Sequence, residues 1–218
     1  MIRNGLALAA LMVCAQPVFA ADADPRDLER SCHDYTLSAS DQAASCTQLI
    51  PFYGDAIERL GVKALAYLAR GTAYRRNGDT MRAETDFRET IRLDSIPLEA
   101  GNREALLYND RCWARAIAGF ETELAFADCN EAIMLRPNFT AALDSRAFLQ
   151  LKRGQYREAL ADYDAVLKES PKDPYSLFGR GITKLKSGDA TGGNADIAAA
   201  NALQPGLREE FAAYGVTP

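Results

Sequence analysis

A glycine, an aspartate and a proline recur at a fixed spacing in this chain. At an interval of 34 positions, the sequence repeats Gly154, Asp162, Pro171 as Gly188, Asp196, Pro205. The same step in the other direction leads from Asp162 and Pro171 to Asp128 and Pro137. A fixed period of this length indicates small structural units stacked in tandem, each burying its apolar face against the next.

The repeated unit is predicted to be a pair of helices, most clearly in residues 140–173. Its second half carries an apolar stripe at three-and-four spacing, made of Tyr156, Ala159, Leu160, Tyr163, Val166 and Leu167. Gly154 lies in the predicted turn, and Pro171 ends the second helix because proline lacks an amide hydrogen. A hairpin this small cannot bury its apolar faces alone, so it requires neighbours.

Several positions of this unit resemble the tetratricopeptide repeat (TPR) family. The residues that match the family pattern in the central unit are Leu143, Arg146, Ala147, Gln150, Ala159, Tyr163, Val166 and Pro171. The resemblance implies repeats over residues 64–97, 105–139, 140–173 and 174–207. Residues 98–104 fall between repeats as an insertion, which either forms a loop or lengthens the following helix.

The resemblance implies an all-α fold, a right-handed α-solenoid of stacked helix-turn-helix repeats. Residues 21–63 are predicted to form capping helices, an atypical half-repeat at the N-terminal end. One cap helix follows Ser40 and Asp41 and ends at Pro51, and a second spans Tyr53–Leu60. Residues 207–218 are predicted to form a C-terminal capping helix and tail that seal the last repeat, with Leu207, Phe211 and Tyr214 turned inward.

The first twenty residues have the pattern of a secretory signal peptide. Arg3 supplies a short positive region, residues 6–13 are apolar, and residues 18–20 provide a small-residue cleavage signal ending at Ala20. The apolar stretch is too short to span a membrane. We therefore predict a cleaved, periplasmic or secreted protein without an integral membrane span.

The charge balance argues against nucleic-acid binding. The chain has a formal net charge of −5 and an isoelectric point near 5.1, whereas nucleic-acid-binding domains usually carry a basic footprint.

The single histidine, His33, excludes a multi-histidine metal site. Cys32–His33 is a poor nucleophile–base pair because adjacent side chains point in different directions. Glu209–Glu210 suggests a solvated helix face. We predict no catalytic residue, metal or cofactor, and no enzyme activity.

Four cysteines remain after the predicted cleavage, and an even number in an exported chain indicates disulfides. Cys32 and Cys46 both lie in the N-terminal cap and are predicted to pair. The TPR resemblance places Cys112 and Cys129 where the two helices of one repeat pack most closely, which implies the second pair.

Each repeat also combines an arginine in its first helix with an aspartate in its second. The pairs are Arg70 and Asp86, Arg111 and Asp128, Arg146 and Asp162, Arg180 and Asp196. Their separations are 16, 17, 16 and 16 residues. We predict a ladder of structural ion pairs, formed either within a repeat or between neighbours.

In the TPR family, the first helices line a concave groove that holds an extended or helical peptide. The groove positions carried over to this chain are Thr72, Arg75, Arg76, Asn109, Trp113, Phe148, Lys152, Tyr175, Phe178, Ile182 and Lys186. This set predicts an apolar centre with a basic edge, suited to a partner peptide with apolar side chains and some negative charge. The alternative for Trp113 and Phe148 is packing between repeats. The family's clamp for a terminal carboxylate is missing.

The leading functional hypothesis is a scaffold or assembly factor that binds a protein partner through this groove. Three alternatives stay open at this point. The groove could bind an envelope polysaccharide or another non-protein ligand, the protein could be a small hydrolase that uses carboxylates, or it could self-associate.

Overall fold

The computed structural model describes residues 23–218. The signal peptide predicted for residues 1–20 lies outside them. The described chain is helical, with the following bounds: α1 Pro25–Cys32, α2 Ala39–Leu49, α3 Leu60–Arg76, α4 Thr80–Glu99, α5 Ala105–Ala118, α6 Thr122–Leu135, α7 Thr140–Lys152, α8 Tyr156–Glu169, α9 Pro174–Ser187, α10 Ala190–Leu203 and α11 Leu207–Ala213.

Local sequence determines where these helices begin and end, as α9 and α10 illustrate. Asp173 caps α9 by accepting a hydrogen bond from the backbone N–H of Ser176 at 2.8 Å, and Pro174 occupies the first turn. Gly188 ends α9 with φ +98°, a left-handed conformation that glycine adopts without steric cost. Asp189 then caps α10.

Small residues allow the two helices of each hairpin to pack closely. A methyl group added at Gly181 of α9 would lie 2.9 Å from the carbonyl oxygen of Gly193 on α10. Ala125 and Ala159, at the equivalent position in α6 and α8, are fully buried. The hairpins α3–α4, α5–α6, α7–α8 and α9–α10 are therefore tight two-helix units.

These four hairpins stack side by side, which confirms the predicted α-solenoid. The first helices of successive hairpins contact one another, α3 with α5, α5 with α7, and α7 with α9. In the part of the chain that the structure describes, no comparable contact joins the second helices of successive hairpins. The first helices therefore line the inside of the curve. We call the face formed by α3, α5, α7 and α9 the inner wall.

The arginine ladder lies within repeats and also reaches across them. Arg146 is bidentate to Asp162 of its own repeat, with both N–O distances at 2.8 Å. Its third nitrogen, Nη1, donates to Asn130 of the preceding repeat at 2.9 Å. Arg180 makes the same three contacts, with Asp196 at 2.7 and 2.9 Å and with Asp164 of the preceding repeat at 2.8 Å. The ladder thus connects three helices at each step.

The two remaining arginines follow the same rule. The structure pairs Arg70 with Asp86 and Arg111 with Asp128, and the free nitrogens of these arginines donate to Thr47 and Ser95 respectively. The aspartates are almost fully buried, whereas the arginines keep about a fifth of their side-chain surface exposed. Each arginine supplies a positive charge and hydrogen bonds to a buried carboxylate. Without this partner, burying the carboxylate would cost free energy.

The cysteines occur as two bonded pairs. Cys32 at the end of α1 pairs with Cys46 of α2, with Cα atoms 4.6 Å apart. Cys112 of α5 pairs with Cys129 of α6, with Cα atoms 5.4 Å apart. All four are buried. The first pair clamps the N-terminal cap, and the second joins the helices of one repeat.

One local expectation about the N-terminal half was wrong. Residues 53–60 do not form an α-helix. Instead, two short 3₁₀ turns at Ile50–Tyr53 and Ile57–Arg59 lead into α3, which begins at Leu60 and continues through Gly61. A methyl group added at Gly61 would lie 2.8 Å from Leu107 of α5, so a glycine here permits close packing within the helix.

For residues 98–104, the loop alternative is correct from residue 100 onward, and the alternative that they lengthen the following helix is wrong. Residues 98 and 99 extend the preceding helix α4, which passes through the buried Pro97, and only residues 100–104 connect to α5. Across residues 23–218, the structure contains no helix whose length and apolar character would let it cross a membrane.

Candidate ligand-binding groove and its C-terminal cover

The inner wall is largely covered by the protein's own C-terminal end. Phe211 of α11 packs against Phe148 and Phe178, with ring centroids 5.8 and 4.9 Å apart. Tyr214, just after α11, packs edge-on against Trp113 at 5.9 Å and against Phe148 at 6.1 Å. We call α11 and residues 214–216 the C-terminal cover.

Leu207, Phe211 and Tyr214 are buried as predicted, but the path of the chain reaches beyond the fourth repeat. The cover crosses the inner wall as far as the first repeat, where Arg75 of α3 donates to the backbone carbonyl of Ala213 at 3.5 Å. Leu207, Phe211 and Val216 are buried along this path. The driving force is the apolar surface of the inner wall, which would otherwise face water.

The predicted groove residues therefore separate into two groups. Phe178 and Ile182 are fully buried beneath the cover. Thr72, Asn109, Trp113, Phe148 and Tyr175 border a cavity that the cover leaves open. Trp113 and Phe148 pack edge to face, with centroids 5.2 Å apart, and both also contact the cover. Trp113 and Phe148 thus do both: they pack between repeats and they line the groove.

The expected basic edge does not face the groove opening. Arg76 donates to the side chain of Gln42 at 3.0 Å and to the backbone carbonyl of Leu37 at 3.2 Å. Lys152 donates to the carbonyl of Ala116 at 2.9 Å. These cations are occupied in holding the N-terminal cap and a neighbouring helix end, and Lys186 is exposed at the end of α9. The sequence correctly placed these basic residues on the first helices of the repeats. It did not predict that Arg76 and Lys152 hold other segments of the chain.

The cavity has a volume of about 350 Å³. Its walls come from the inner wall, the adjoining end of α8, the loop after α1 and the C-terminal cover. The lining residues are Tyr35, Thr72, Asn109, Trp113, Thr140, Ala141, Asp144, Ser145, Phe148, Val166, Ser170, Asp173, Tyr175, Ser176, Glu210, Phe211 and Tyr214. Small-ligand sites usually begin near this size, so the cavity can hold one or two side chains or one small molecule.

Glu210 is a buried member of this lining, which corrects the prediction of a solvated Glu209–Glu210 face. Its carboxylate accepts hydrogen bonds from Tyr214 at 2.9 Å and from Tyr175 at 3.3 Å. Burial raises the pKa of Glu210, and the two tyrosines and the charge of Arg76 oppose that effect. The two adjacent acids were predicted to be exposed together, but only Glu209 is exposed.

Asp144 of α7 is the second carboxylate of interest in the cavity. Its side chain accepts a hydrogen bond from the hydroxyl of Ser176 on α9. Burial raises the pKa of Asp144 to about 7; the hydrogen bond from Ser176 lowers the pKa and the nearby charge of Asp173 raises it further. Asp144 therefore changes its charge near neutral pH.

A polar network continues from the cavity into the core. Ser145 donates to the side-chain oxygen of Asn109 at 3.0 Å, and Asn109 donates to Asp110 at 3.3 Å. Asn109, Asp110 and Ser145 are all buried. This chain of hydrogen bonds fixes the orientation of the Asn109 amide at the cavity wall.

Sequence reasoning did not identify most of the polar lining, including Tyr35, Asp144, Ser176 and Glu210. Asp144 and Ser176 lie on successive first helices but are 32 residues apart, so the period of 34 does not pair them. Tyr35 and Glu210 come from segments outside the repeats, for which the period gives no position. Within residues 23–218, no group of three or more His, Cys, Asp or Glu residues is arranged to hold a metal ion.

The comparison with known families now has a structural context. The sequence profile of the tetratricopeptide repeat family matches residues 146–207. This segment covers nearly all of the third and fourth hairpins, and the first two hairpins stack on them in the same way. The third and fourth hairpins therefore match the tetratricopeptide repeat family, whose fold supports protein–protein interaction.

Solved structures with a similar arrangement include YrrB, described as a TPR protein with an unusual peptide-binding site. It is 20% identical, with a TM-score of 0.47 over 90% of this chain and 100% of YrrB. MamA is 16% identical, with a TM-score of 0.46 over 84% of this chain and 96% of MamA. A TPR protein from Parabacteroides merdae ATCC 43184 is 17% identical, with a TM-score of 0.46 over 87% and 70% of the two chains.

Proposed function

We propose that this protein is an exported interaction module that binds a short segment of a partner protein in the cavity between the inner wall and the C-terminal cover. The observation that carries this proposal is the cavity itself. It lies on the concave side of the solenoid, and its walls combine exposed aromatic surface with oriented hydrogen-bonding groups. Such a combination is typical of sites that bind a specific side chain or small ligand.

The size of the cavity restricts how a peptide can bind. Because the cover contacts Arg75, Trp113, Phe148 and Phe178 on the four first helices, an extended peptide cannot lie along all four repeats while the cover is in place. A volume of about 350 Å³ accommodates one or two anchoring side chains. Binding of a longer segment requires displacement of α11, which is only seven residues long.

Two features support a location in the periplasm or in the extracellular space. The signal pattern of residues 1–20 predicts export. Two disulfides in a chain of this size are consistent with an oxidising compartment, since cytosolic thiols are normally kept reduced. Fractionation of cells and N-terminal sequencing of the mature protein test this part of the proposal.

Site-specific crosslinking in cells tests the binding role. A photoreactive amino acid replaces Ala141, which is exposed and lines the cavity. The matched control carries the same amino acid at Met134, which is 62% exposed on the outer helix α6. We expect crosslinks from position 141, and not from 134, to a defined segment of another exported protein. Equal crosslinking from both positions, or crosslinks only within the chain, would refute peptide binding at the cavity.

A glycan is the second candidate ligand. The partly exposed Trp113 ring offers a stacking surface, and Asn109 and Asp144 offer hydrogen-bonding groups beside it. Sedimentation with purified envelope polysaccharide, using wild type and Trp113→Ala, distinguishes this candidate. Loss of sedimentation in the variant, without any crosslinked protein segment, would favour the glycan over the peptide.

A further inference from the structure

Carboxylates line the cavity, and the positive charge that acts on one of them, Glu210, belongs to Arg76, which lies outside the lining. Asp144, Asp173 and Glu210 line the cavity, and its lining contains no lysine, arginine or histidine. None of these three carboxylates forms an ion pair with a basic residue of the chain from residue 23 onward. The basic residues nearest to the inner wall are engaged elsewhere, because Arg76 donates to Gln42 and Leu37 and Lys152 donates to Ala116.

The remaining contacts of these carboxylates are neutral hydrogen bonds. Ser176 donates to Asp144, Tyr214 donates to Glu210, and Asp173 accepts from a backbone N–H as the cap of α9. Hydrogen bonds from neutral donors satisfy only part of the requirement of a carboxylate in a poorly hydrated site. The two cavity carboxylates of α7 and α11 therefore retain a strong preference for a positive charge beside them.

Much of the remaining lining of the cavity is aromatic. Tyr35, Trp113 and Tyr175 line it together with Phe148 and the rings of the cover. Tyr35 is 38% exposed, so it borders the entrance. The faces of aromatic rings attract cations, and tryptophan does so most strongly. Aromatic faces combined with carboxylates that lack an ion pair in the described part of the chain form an environment that is complementary to an organic cation.

We propose that the cavity binds a cationic side chain of the partner, the ammonium group of a lysine or the guanidinium group of an arginine. This inference deepens the proposed function and rests on it. The sequence had suggested a partner with some negative charge, and this inference replaces it with a positive one. The reason is that Arg76 and Lys152 bond to the protein's own segments, whereas Asp144 and Glu210 line the cavity. The alkyl stem of the side chain would lie against the aromatic rings, and its charged end would lie between Asp144 and Glu210.

The chain provides its own reporter for this inference. Trp113 is the only tryptophan, and it lines the cavity. Its fluorescence can therefore be followed during titration of the mature protein with a series of capped pentapeptides, Ac-AAXAA-NH2. The central residue X is lysine, arginine, norleucine or glutamate. Norleucine has nearly the length and apolar stem of lysine without its charge, so it isolates the contribution of the charge.

We expect the lysine and arginine peptides to bind about tenfold more tightly than the norleucine peptide, and the glutamate peptide to bind weakest. Asp144→Asn and Glu210→Gln should each weaken the lysine peptide about tenfold and leave the norleucine peptide unchanged. Both replacements keep an oxygen that accepts from Ser176 or Tyr214. Glu209→Gln removes the same charge from the exposed neighbouring position and should change the affinity less than about twofold.

Equal affinity for the lysine and norleucine peptides would overturn the inference, as would an equal loss in the Glu209→Gln control. Tighter binding of the glutamate peptide would overturn it as well. Crosslinking from position 141 separates these results from the proposed function. If a partner segment is crosslinked but the charge series shows no preference, only the cationic ligand is refuted. If the lysine peptide binds and no partner segment is crosslinked, the cationic site stands and the peptide-binding role is refuted.

Discussion

The ring of Tyr214, at the C-terminal end of the chain, packs edge-on against Trp113 of the second repeat, with centroids 5.9 Å apart and planes at 81°. This contact shows that the chain returns over its own inner wall after the fourth repeat. It also means that the residues of the predicted groove are divided here between an intramolecular contact and an open cavity. The first prediction follows from this arrangement.

Phe211→Ala should destabilise the protein and expose the inner wall. Phe211 is buried between Phe148 and Phe178, and removing a buried phenylalanine costs about 3 kcal/mol or more. For a chain of this length, that loss corresponds to a fall in Tm of about 6–12 °C. Arg208→Ala, on the exposed side of the same helix, should change Tm by less than about 2 °C. Thermal unfolding by circular dichroism measures both, and equal stability of the two variants would contradict the packing described for α11.

Breaking one step of the arginine ladder should cost more than breaking a surface pair. Arg146→Gln leaves the buried carboxylate of Asp162 without its bidentate partner and removes the contact with Asn130. We expect a loss of about 2–3 kcal/mol in the free energy of unfolding, somewhat below the cost for a fully buried pair because Arg146 is partly exposed.

The control for this change is Arg157→Gln, which breaks the exposed pair with Glu158. Exposed ion pairs contribute under about 1 kcal/mol, so this variant should stay within about 0.5 kcal/mol of wild type. Urea unfolding measures both values. A loss of the same size in the two variants would show that the ladder has no special role in joining repeats.

The spacing of residues accounts for much of the fold but not for the cavity. The period of 34 placed the helical hairpins, and the separation of 16 or 17 residues between each arginine and its aspartate identified the ladder. Both relationships are fixed spacings along the chain, so they can be recognised in the sequence. The side of the solenoid on which α11 docks depends on packing against four separate helices, and no periodic pattern encodes it.

The same distinction explains the individual errors. Glu210 belongs to a pair of adjacent acids, and only the position of α11 determines which of the two is buried. Arg76 occupies a groove position in the repeat pattern, but its hydrogen bonds go to Leu37 and Gln42 in the cap, outside the repeat. Pro97 was expected to mark the end of a repeat, whereas α4 continues past it to Glu99.

Asp94→Asn should stabilise the protein, and the gain should depend on pH. Both carboxylate oxygens of Asp94 are buried without a hydrogen-bond partner. Burial, followed by the charge of Asp110, raises the pKa of Asp94 to about 9; the nearby charge of Arg111 lowers it, and that of Asp128 raises it. A raised pKa in the folded state means that the unfolded chain loses this proton at lower pH. Asp94 therefore reduces stability progressively as pH rises from about 4 towards about 9.

We expect the variant and wild type to be equally stable near about pH 4, and the variant to be more stable by about 2 kcal/mol near about pH 8. Asp27→Asn, at an exposed position of α1, is the control and should show no such trend. Urea unfolding across the pH range gives the difference between each variant and wild type. A difference for Asp94→Asn that is constant with pH would contradict the burial of this carboxyl group.

Binding of the lysine peptide should strengthen as pH rises through neutrality. The pKa of Asp144 is raised to about 7, and a bound cation favours its ionised form, so binding is weakest where Asp144 is protonated. The titratable groups that act on or are affected by Asp144 are Asp173, the cap of α9, and Tyr163 of α8. Tyr175 of α9 and Glu210 of α11 line the same cavity. Trp113 fluorescence titrations should give an affinity about tenfold higher at about pH 8 than at about pH 5.5. The same increase in Asp144→Asn would contradict the assignment to this residue.

The most direct test of the account is the proton nuclear Overhauser spectrum of the free mature protein. The indole ring of Trp113 should show cross-peaks to the ring of Tyr214, and the ring of Phe148 should show them to Phe211, since these pairs lie 5.9 and 5.8 Å apart between centroids. These cross-peaks would place the C-terminal cover on the inner wall, beside the cavity. If Trp113 has no contact with Tyr214 and the Phe211 ring is free in solution, the inner wall is open, and both the cavity and the ligand assigned to it are wrong.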